Sequence, residues 1–169
     1  MQPTVFLDMD GVVANFEKEM YKMSPDEFDD DSFRNAVRDD KIFEKLEMMP
    51  NAAKLLKAVK SFTNVRREML TSVGIENDPD HKARVIEQKS KWLLAKGIGY
   101  RANFVERMVR KGEYADGYSI LIDDAERAVN AFRKKGGIAI LYKDENVDEA
   151  IDQLTAAVYD IKTRIANGF

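Results

Sequence analysis

Apolar residues recur along this chain in two rhythms, short unbroken runs and steps of three and four, and the two alternate. Val5-Phe6-Leu7 is a run of the first kind and reads as a short buried strand. Arg67–Ser72, Asn103–Met108, Ser119–Ile122 and Ile138–Tyr142 read as four further strands. Helical stretches lie between them. Val12–Met23 carries Phe16, Met20 and Met23 on one side, and Ala52–Phe62 is amphipathic through Leu55, Leu56 and Val59. Pro79-Asp80 opens a long helix to about Lys96, stopped by Gly97 and Gly99; Ala125–Lys135 stops at Gly136-Gly137. The last helix has the plainest face, with Val147, Ile151, Leu154, Val158, Ile161 and Ile165 in register.

Strands alternating with helices predict an α/β fold, a three-layer Rossmann-like parallel sheet of about five strands. One segment stands outside the alternation. Ser24-Pro25-Asp26-Glu27 is a turn and helix-start signal, and the charged stretch from Asp26 to Glu47 is anchored by Phe28, Phe33, Val37, Ile42, Phe43 and Leu46. That pattern fits two or three short helices. Glu17–Glu47 holds eleven acidic and six basic side chains, a net charge of -5, so its outer face is solvated. Met48-Met49-Pro50-Asn51 closes it. The expectation is a core domain of residues 1–15 and 50–169, with residues 16–49 inserted after the first strand as a small helical cap.

In a parallel sheet ligands bind beyond the carboxyl ends of the strands. That rule gathers Asp8 and Asp10, Thr71 and Ser72, and Asp123 and Asp124 at one rim. Asp8 and Asp10 leave a strand end pointing to the same side, and two carboxylates so close repel unless a cation sits between them. Gly11 follows where the chain must turn. An arbitrary Asp-x-Asp is usually a solvated turn; one that ends an apolar strand, before glycine and a second apolar run, points to a metal and phosphate site. The string Asp8-Met9-Asp10-Gly11-Val12-Val13-Ala14-Asn15-Phe16-Glu17 resembles the first signature of the haloacid-dehalogenase-like phosphohydrolases, and within them the 5'(3')-deoxyribonucleotidase branch.

Composition narrows the chemistry. The chain has 169 residues, enough for one domain with a core, and 44% of them are hydrophobic. A net charge of -3 gives no electrostatic grip on a nucleic-acid backbone or an anionic membrane. No cysteine is present, which excludes disulfides, thiol catalysis and cysteine metal sites, and the single histidine, His81, excludes a multi-histidine centre. No apolar run reaches membrane-spanning length and no signal-peptide pattern opens the chain, so the expected location is cytoplasmic.

Phosphate monoester hydrolysis needs a divalent cation to bring a dianion to a carboxylate nucleophile. Asp8 and Asp124, with waters and a phosphate oxygen, offer the all-oxygen shell that magnesium prefers; Asp10, through its backbone carbonyl, and Asp123 complete the candidate metal set. Asp8 would attack phosphorus and form an aspartyl-phosphate, and Asp10 would protonate the leaving oxygen and then activate water. Thr71 and Ser72 can donate to phosphoryl oxygens, and a lysine should complete the charge balance. Lys89 interrupts the stripe Val85, Lys89, Trp92, where a lysine either snorkels or has an anionic partner; Arg110 and Lys111 are its rivals. His81, near a helix start, reads as surface polar.

The resemblance extends through Leu70-Thr71-Ser72, Gln88-Lys89-Ser90-Lys91-Trp92, Phe104-Val105-Glu106-Arg107 with Lys111 after it, and Leu121-Ile122-Asp123-Asp124. Phe43-Glu44-Lys45-Leu46-Glu47, with Pro50 following, looks like the family's lid exit. It implies a Mg2+-dependent phosphatase acting on nucleoside monophosphates, with Phe16 and Phe43 lining the base pocket and Lys89 and Lys111 joining Thr71 and Ser72 at the phosphate. The chain departs from the pattern at Val73-Gly74, where the family has proline, and at Arg110-Lys111, where it has Arg-x-Lys.

The expected partner is a small phosphomonoester, with no membrane and no long nucleic acid; a homodimer stays open. The alternatives are a phosphatase for another small phosphoester or a nucleic-acid 3'-phosphate, and a noncatalytic nucleotide or phosphate binder. A dehalogenase or phosphomutase fits less well, because the second aspartate speaks against dehalogenation.

Overall fold

The computed structural model describes residues 1–23 and 29–169. Ser24-Pro25-Asp26-Glu27 and Phe28 lie outside the described residues. Five strands form one parallel sheet, β1 (Thr4–Leu7), β2 (Arg66–Ser72), β3 (Arg101–Val105), β4 (Ser119–Asp123) and β5 (Ile138–Leu141). Their order across the sheet is β3-β2-β1-β4-β5. The chain winds outward from β1 through β2 to β3, then returns to β1's other side for β4 and β5. The point where winding reverses lies between β1 and β4, which is where a doubly wound sheet opens a crevice.

Alternation of side chains explains the layers. Val5 and Leu7 of β1, with Ile120 and Ile122 of β4, pack on one face with Leu55 and Val59 of α3 (Ala52–Ser61), Trp92 of α4 (Pro79–Ala95) and Leu154 and Ile161 of α6 (Val147–Ala166). Phe6 and Leu121 point the other way, to Ala128, Val129 and Phe132 of α5 (Glu126–Lys134). A 3-10 segment, Met108–Tyr114, lies beside α5 on that face. The expected three layers are present. No helix among the described residues is long and apolar enough to cross a membrane.

Two expected elements shift. The helix anticipated from Val12 begins only at Phe16, as α1 (Phe16–Met23). The amides of Val12, Val13 and Ala14 all turn back onto the Met9 carbonyl, and Gly11 takes φ +80°, so the chain makes a tight loop first. The strand expected over Asn103–Met108 runs instead over Arg101–Val105: Arg101 already pairs with Glu68, and Val105 pairs with Ser72, the last residue of β2.

The insertion leaves and rejoins the core along a paired stem: the Asn15 amide donates to the Glu47 carbonyl and the Met49 amide to that of Val13, both at 2.8 Å. Its α2 (Asp30–Arg38) starts where the Asp29 carboxylate caps the Ser32 amide, and a 3-10 turn, Ile42–Glu44, follows. Both lie along α4. Gln88 Nε2 donates to the Val37 carbonyl at 2.7 Å, Trp92 Nε1 to that of Leu46 at 2.7 Å, and Arg34 Nε to Asp78 Oδ2 at 2.7 Å. Asp78 in turn caps α4 through the His81 amide. His81 is 3% exposed, its Nε2 3.0 Å from the Val73 carbonyl and its ring edge-on to Phe33, which corrects the surface reading. A histidine in the first turn of a helix is buried when another element covers that turn, as α2 does here.

The face covered by α5 is the thinner one, and Phe132, fully buried and edge-on to Phe6, is its largest anchor. Phe132→Ala should lower unfolding free energy by about 3–5 kcal/mol in chemical denaturation. A loss below about 1 kcal/mol would mean the face repacks around the vacated volume.

Candidate active site

Three strand ends supply the centre. Asp8 follows directly on β1, and its amide donates to the Ile122 carbonyl at 3.0 Å, which fixes its backbone against β4. β4 ends in Asp123, fully buried, and Asp124 follows. One carboxylate oxygen from each of Asp8, Asp123 and Asp124 lies within 4.8 Å of the other two. Lys111 reaches between two of them, its Nζ 2.8 Å from Asp8 Oδ1 and 2.6 Å from Asp123 Oδ2. Asp123 Oδ1 accepts from the Ala125 amide at 2.9 Å, so both of its oxygens are engaged.

Lys89 is the second buried cation, with no exposed surface. Its ammonium donates to Asp10 Oδ2 and Thr71 Oγ1, each at 2.7 Å, and to the Ser72 carbonyl at 2.9 Å. Three donors meet three acceptors, so Lys89 holds Asp10 in place. Asp10 Oδ1 is buried and accepts no hydrogen bond. A buried carboxylate oxygen without a donor is costly, and it fits a group poised to carry a proton or meet a ligand.

A cavity of about 600 Å³ opens over these residues. Asp8, Asp10, Ser72, Lys111, Asp123 and Asp124 line its floor, and Phe16, Phe33, Phe43 and Met49 line its apolar side. Thr71 and Lys89, expected at the phosphate, sit behind the wall, and Arg110 is an exposed side chain beside Glu76. Of the rival cations, Lys111 is the one that faces the carboxylates from within the cavity. Phe16 and Phe43 stack at 5.2 Å with planes 11° apart, and Lys89 Nζ sits 4.6 Å from the Phe43 centroid. Phe43 is 1% exposed and offers no open ring face. Phe33 stands edge-on to both rings, seated over Gly74, where a Cβ would approach its ring to 2.8 Å.

Charge is out of balance at this centre. With every group ionised, four carboxylates would surround two ammonium groups, an excess of two negative charges (4 − 2 = 2) that the carboxyl groups resist by holding protons. Asp124, the exposed member of the cluster, is raised by partial loss of solvent on its inner side and then by the Asp8 and Asp123 charges. Burial and the Asp8 charge raise Asp123 as well, with Lys111 opposing. Asp10 is raised by loss of solvent, which the Lys89 charge only partly offsets. Burial would depress Lys111, but Asp8 and Asp123 outweigh it and raise that group. A divalent cation with oxygen ligands would cancel the surplus. Gly11 gives the cluster its room, since a Cβ there would fall 2.0 Å from Asp124 Oδ2. The donor set, its spacing and its charge fit magnesium.

Tyr142, Lys143, Asp144 and Glu145, just past β5, also line the cavity, and sequence reasoning did not single them out. The carboxyl-end rule that gathered the other strand ends applies to β5 equally and would have found them.

No family model matches the chain, and no curated protein matches it by sequence. Solved structures do match by shape. A haloacid dehalogenase-like family hydrolase from Xanthomonas campestris superposes with a TM-score of 0.63 at 10% identity, over 96% of this chain and 94% of that one. A hydrolase from Streptococcus pneumoniae TIGR4 superposes with a TM-score of 0.53 at 12% identity, over 90% of this chain and all of the other. At such identities the likeness speaks for architecture. The fold of this chain is that of the haloacid dehalogenase-like hydrolases.

Proposed function

We propose that the protein is a magnesium-dependent phosphomonoesterase that hydrolyses nucleoside monophosphates through a phosphorylated Asp8, with residues 16–49 serving as its cap. The observation that carries the reading is the clamp of Lys111 between Asp8 and Asp123, beside Asp124 and at the reversal point of the sheet. A structural ion pair needs neither a third carboxylate there nor an open cavity above it.

Magnesium bound by Asp8 and Asp124, with Asp123 and the Asp10 carbonyl beside them, would neutralise the surplus charge and the incoming phosphate. The chain's own groups do the rest. Lys111 and the Ser72 hydroxyl hold phosphoryl oxygens. An Asp8 oxygen attacks phosphorus as the ester P–O bond breaks, and the leaving oxygen takes its proton from Asp10. Asp10, now a carboxylate, removes a proton from water, and that water's oxygen attacks the same phosphorus. The Asp8–phosphorus bond breaks, phosphate leaves, and Asp10 is protonated again. Lys89 and Thr71 keep Asp10 aimed. The aromatic wall of Phe16 and Phe33 supports a nucleoside as the leaving group.

Phosphate release from deoxy- and ribonucleoside 5'- and 3'-monophosphates should require Mg2+, and Asp8→Asn should lower it by at least about 10³-fold with the fold intact by circular dichroism. Undiminished turnover in that variant removes the nucleophile assignment. Turnover of aryl phosphates without nucleotide preference keeps the chemistry and discards the nucleoside.

Mg2+ should raise the thermal midpoint of the wild type relative to EDTA, because it binds the folded state alone. Gly11→Ala displaces the Asp124 carboxylate, so its Mg2+-dependent shift should shrink to less than half; an unchanged shift places the ion elsewhere. Lys89→Met should reduce kcat by about 10²-fold while KM stays within about threefold, since it frees Asp10 without touching substrate. A variant that loses only substrate affinity would make Lys89 a phosphate ligand instead.

A further inference from the structure

The cavity divides into a catalytic floor and an outer wall of different character. On the outer wall stand Glu17, Asp144 and Glu145 against one basic side chain among the described residues, Lys143. Asp144 is fixed there: its carboxylate accepts from the Asn51 amide, from Asn51 Nδ2 and from the Tyr142 hydroxyl, each at 3.1 Å. Lys18, next in the chain to Glu17, pairs with Glu47 at 2.7 Å, and Arg107, next to Met108, pairs with Glu76 at 3.1 Å. That the cavity receives a ligand rests on a separate observation, the unpartnered and buried Asp10 Oδ1 at its floor.

The charges then assign the kind of ligand. A divalent cation held by the floor carboxylates would bring them to neutrality, and a phosphoryl dianion would seat beside Lys111. Whatever the phosphate is esterified to must extend toward the outer wall, whose own charge is -2 (three carboxylates, one ammonium). A second anion on that part of the substrate would sit among like charges at close range, a repulsion that salt screens.

Resting on the phosphomonoesterase reading, we propose that this wall selects substrates by the charge of the leaving alcohol. Esters of neutral or cationic alcohols are accepted; those carrying a carboxylate or a second phosphate, nucleoside 3',5'-bisphosphates among them, are rejected. Selection here works by repulsion, which excludes competitors without tightening the hold on the substrate.

The test uses three aryl phosphates of nearly equal size, phenyl phosphate, 4-(aminomethyl)phenyl phosphate and 4-carboxyphenyl phosphate, with the wild-type enzyme and Mg2+. The carboxylated ester should show kcat/KM at least about tenfold below phenyl phosphate, and the aminomethyl ester should equal or exceed it. Intrinsic reactivity runs the other way, because the carboxylated phenol is the slightly better leaving group. Raising NaCl from low to high concentration should compress the difference. The exposed pair Glu17→Gln with Glu145→Gln should bring the ratio at least halfway to one. Equal turnover of the carboxylated and neutral esters overturns the inference, as does a penalty that survives the double substitution, while both leave the phosphomonoesterase standing. No Mg2+-dependent turnover of any of the three esters overturns the inference; only if nucleoside monophosphates are not hydrolysed either does the phosphomonoesterase fall with it.

Discussion

Everything at the carboxyl edge of this sheet depends on two lysine side chains buried among four carboxylates. Neither cation could be desolvated alone, and neither pair of acids could be held so close without a cation between them. Each lysine therefore acts as a spacer with a charge. Lys111 ties the end of β1 to the end of β4 across the reversal of the sheet, and Lys89 ties the Asp10 loop to the end of β2. The remaining surplus of negative charge is what distinguishes the cluster from a closed structural ion-pair network.

The two lysines divide the work because of where their elements approach. Lys111 comes from the 3-10 segment on the α5 face and enters the cavity floor. Lys89 comes from the middle of α4, the helix that also carries the insertion, and arrives from behind. One helix thus sets both the aim of Asp10 and the position of the wall facing it. Phe43 joins these roles physically, since its ring is stacked on Phe16 and lies against the Lys89 ammonium.

Much of this was legible in the sequence. The alternation of apolar runs with helical stripes specifies a layered parallel sheet, and the carboxyl-end rule brings Asp8, Asp10, Ser72, Asp123 and Asp124 to one rim. What escaped depended on contacts between distant segments. Lys89 interrupts an apolar stripe, which is compatible with snorkelling or with an anionic partner and does not say whether such a partner is a phosphate or Asp10. His81 looks solvated until α2 is laid over the first turn of α4. The late start of α1 follows from three amides sharing one carbonyl, a local arrangement to which side-chain periodicity is blind. The Asp144 lattice joins Asn51 and Tyr142, residues whose partnership no spacing encodes.

The paired stem at the base of the insertion, residues 13–15 against 47–49, has an evolutionary consequence. Chain that departs and returns through hydrogen-bonded neighbours transmits little of its own length to the strand that launched it. Helices can be lengthened, replaced or lost on the far side of such a junction while Asp8 keeps its register with Ile122. The junction separates the carboxylate floor from whatever covers it, and one floor can then be roofed in many ways.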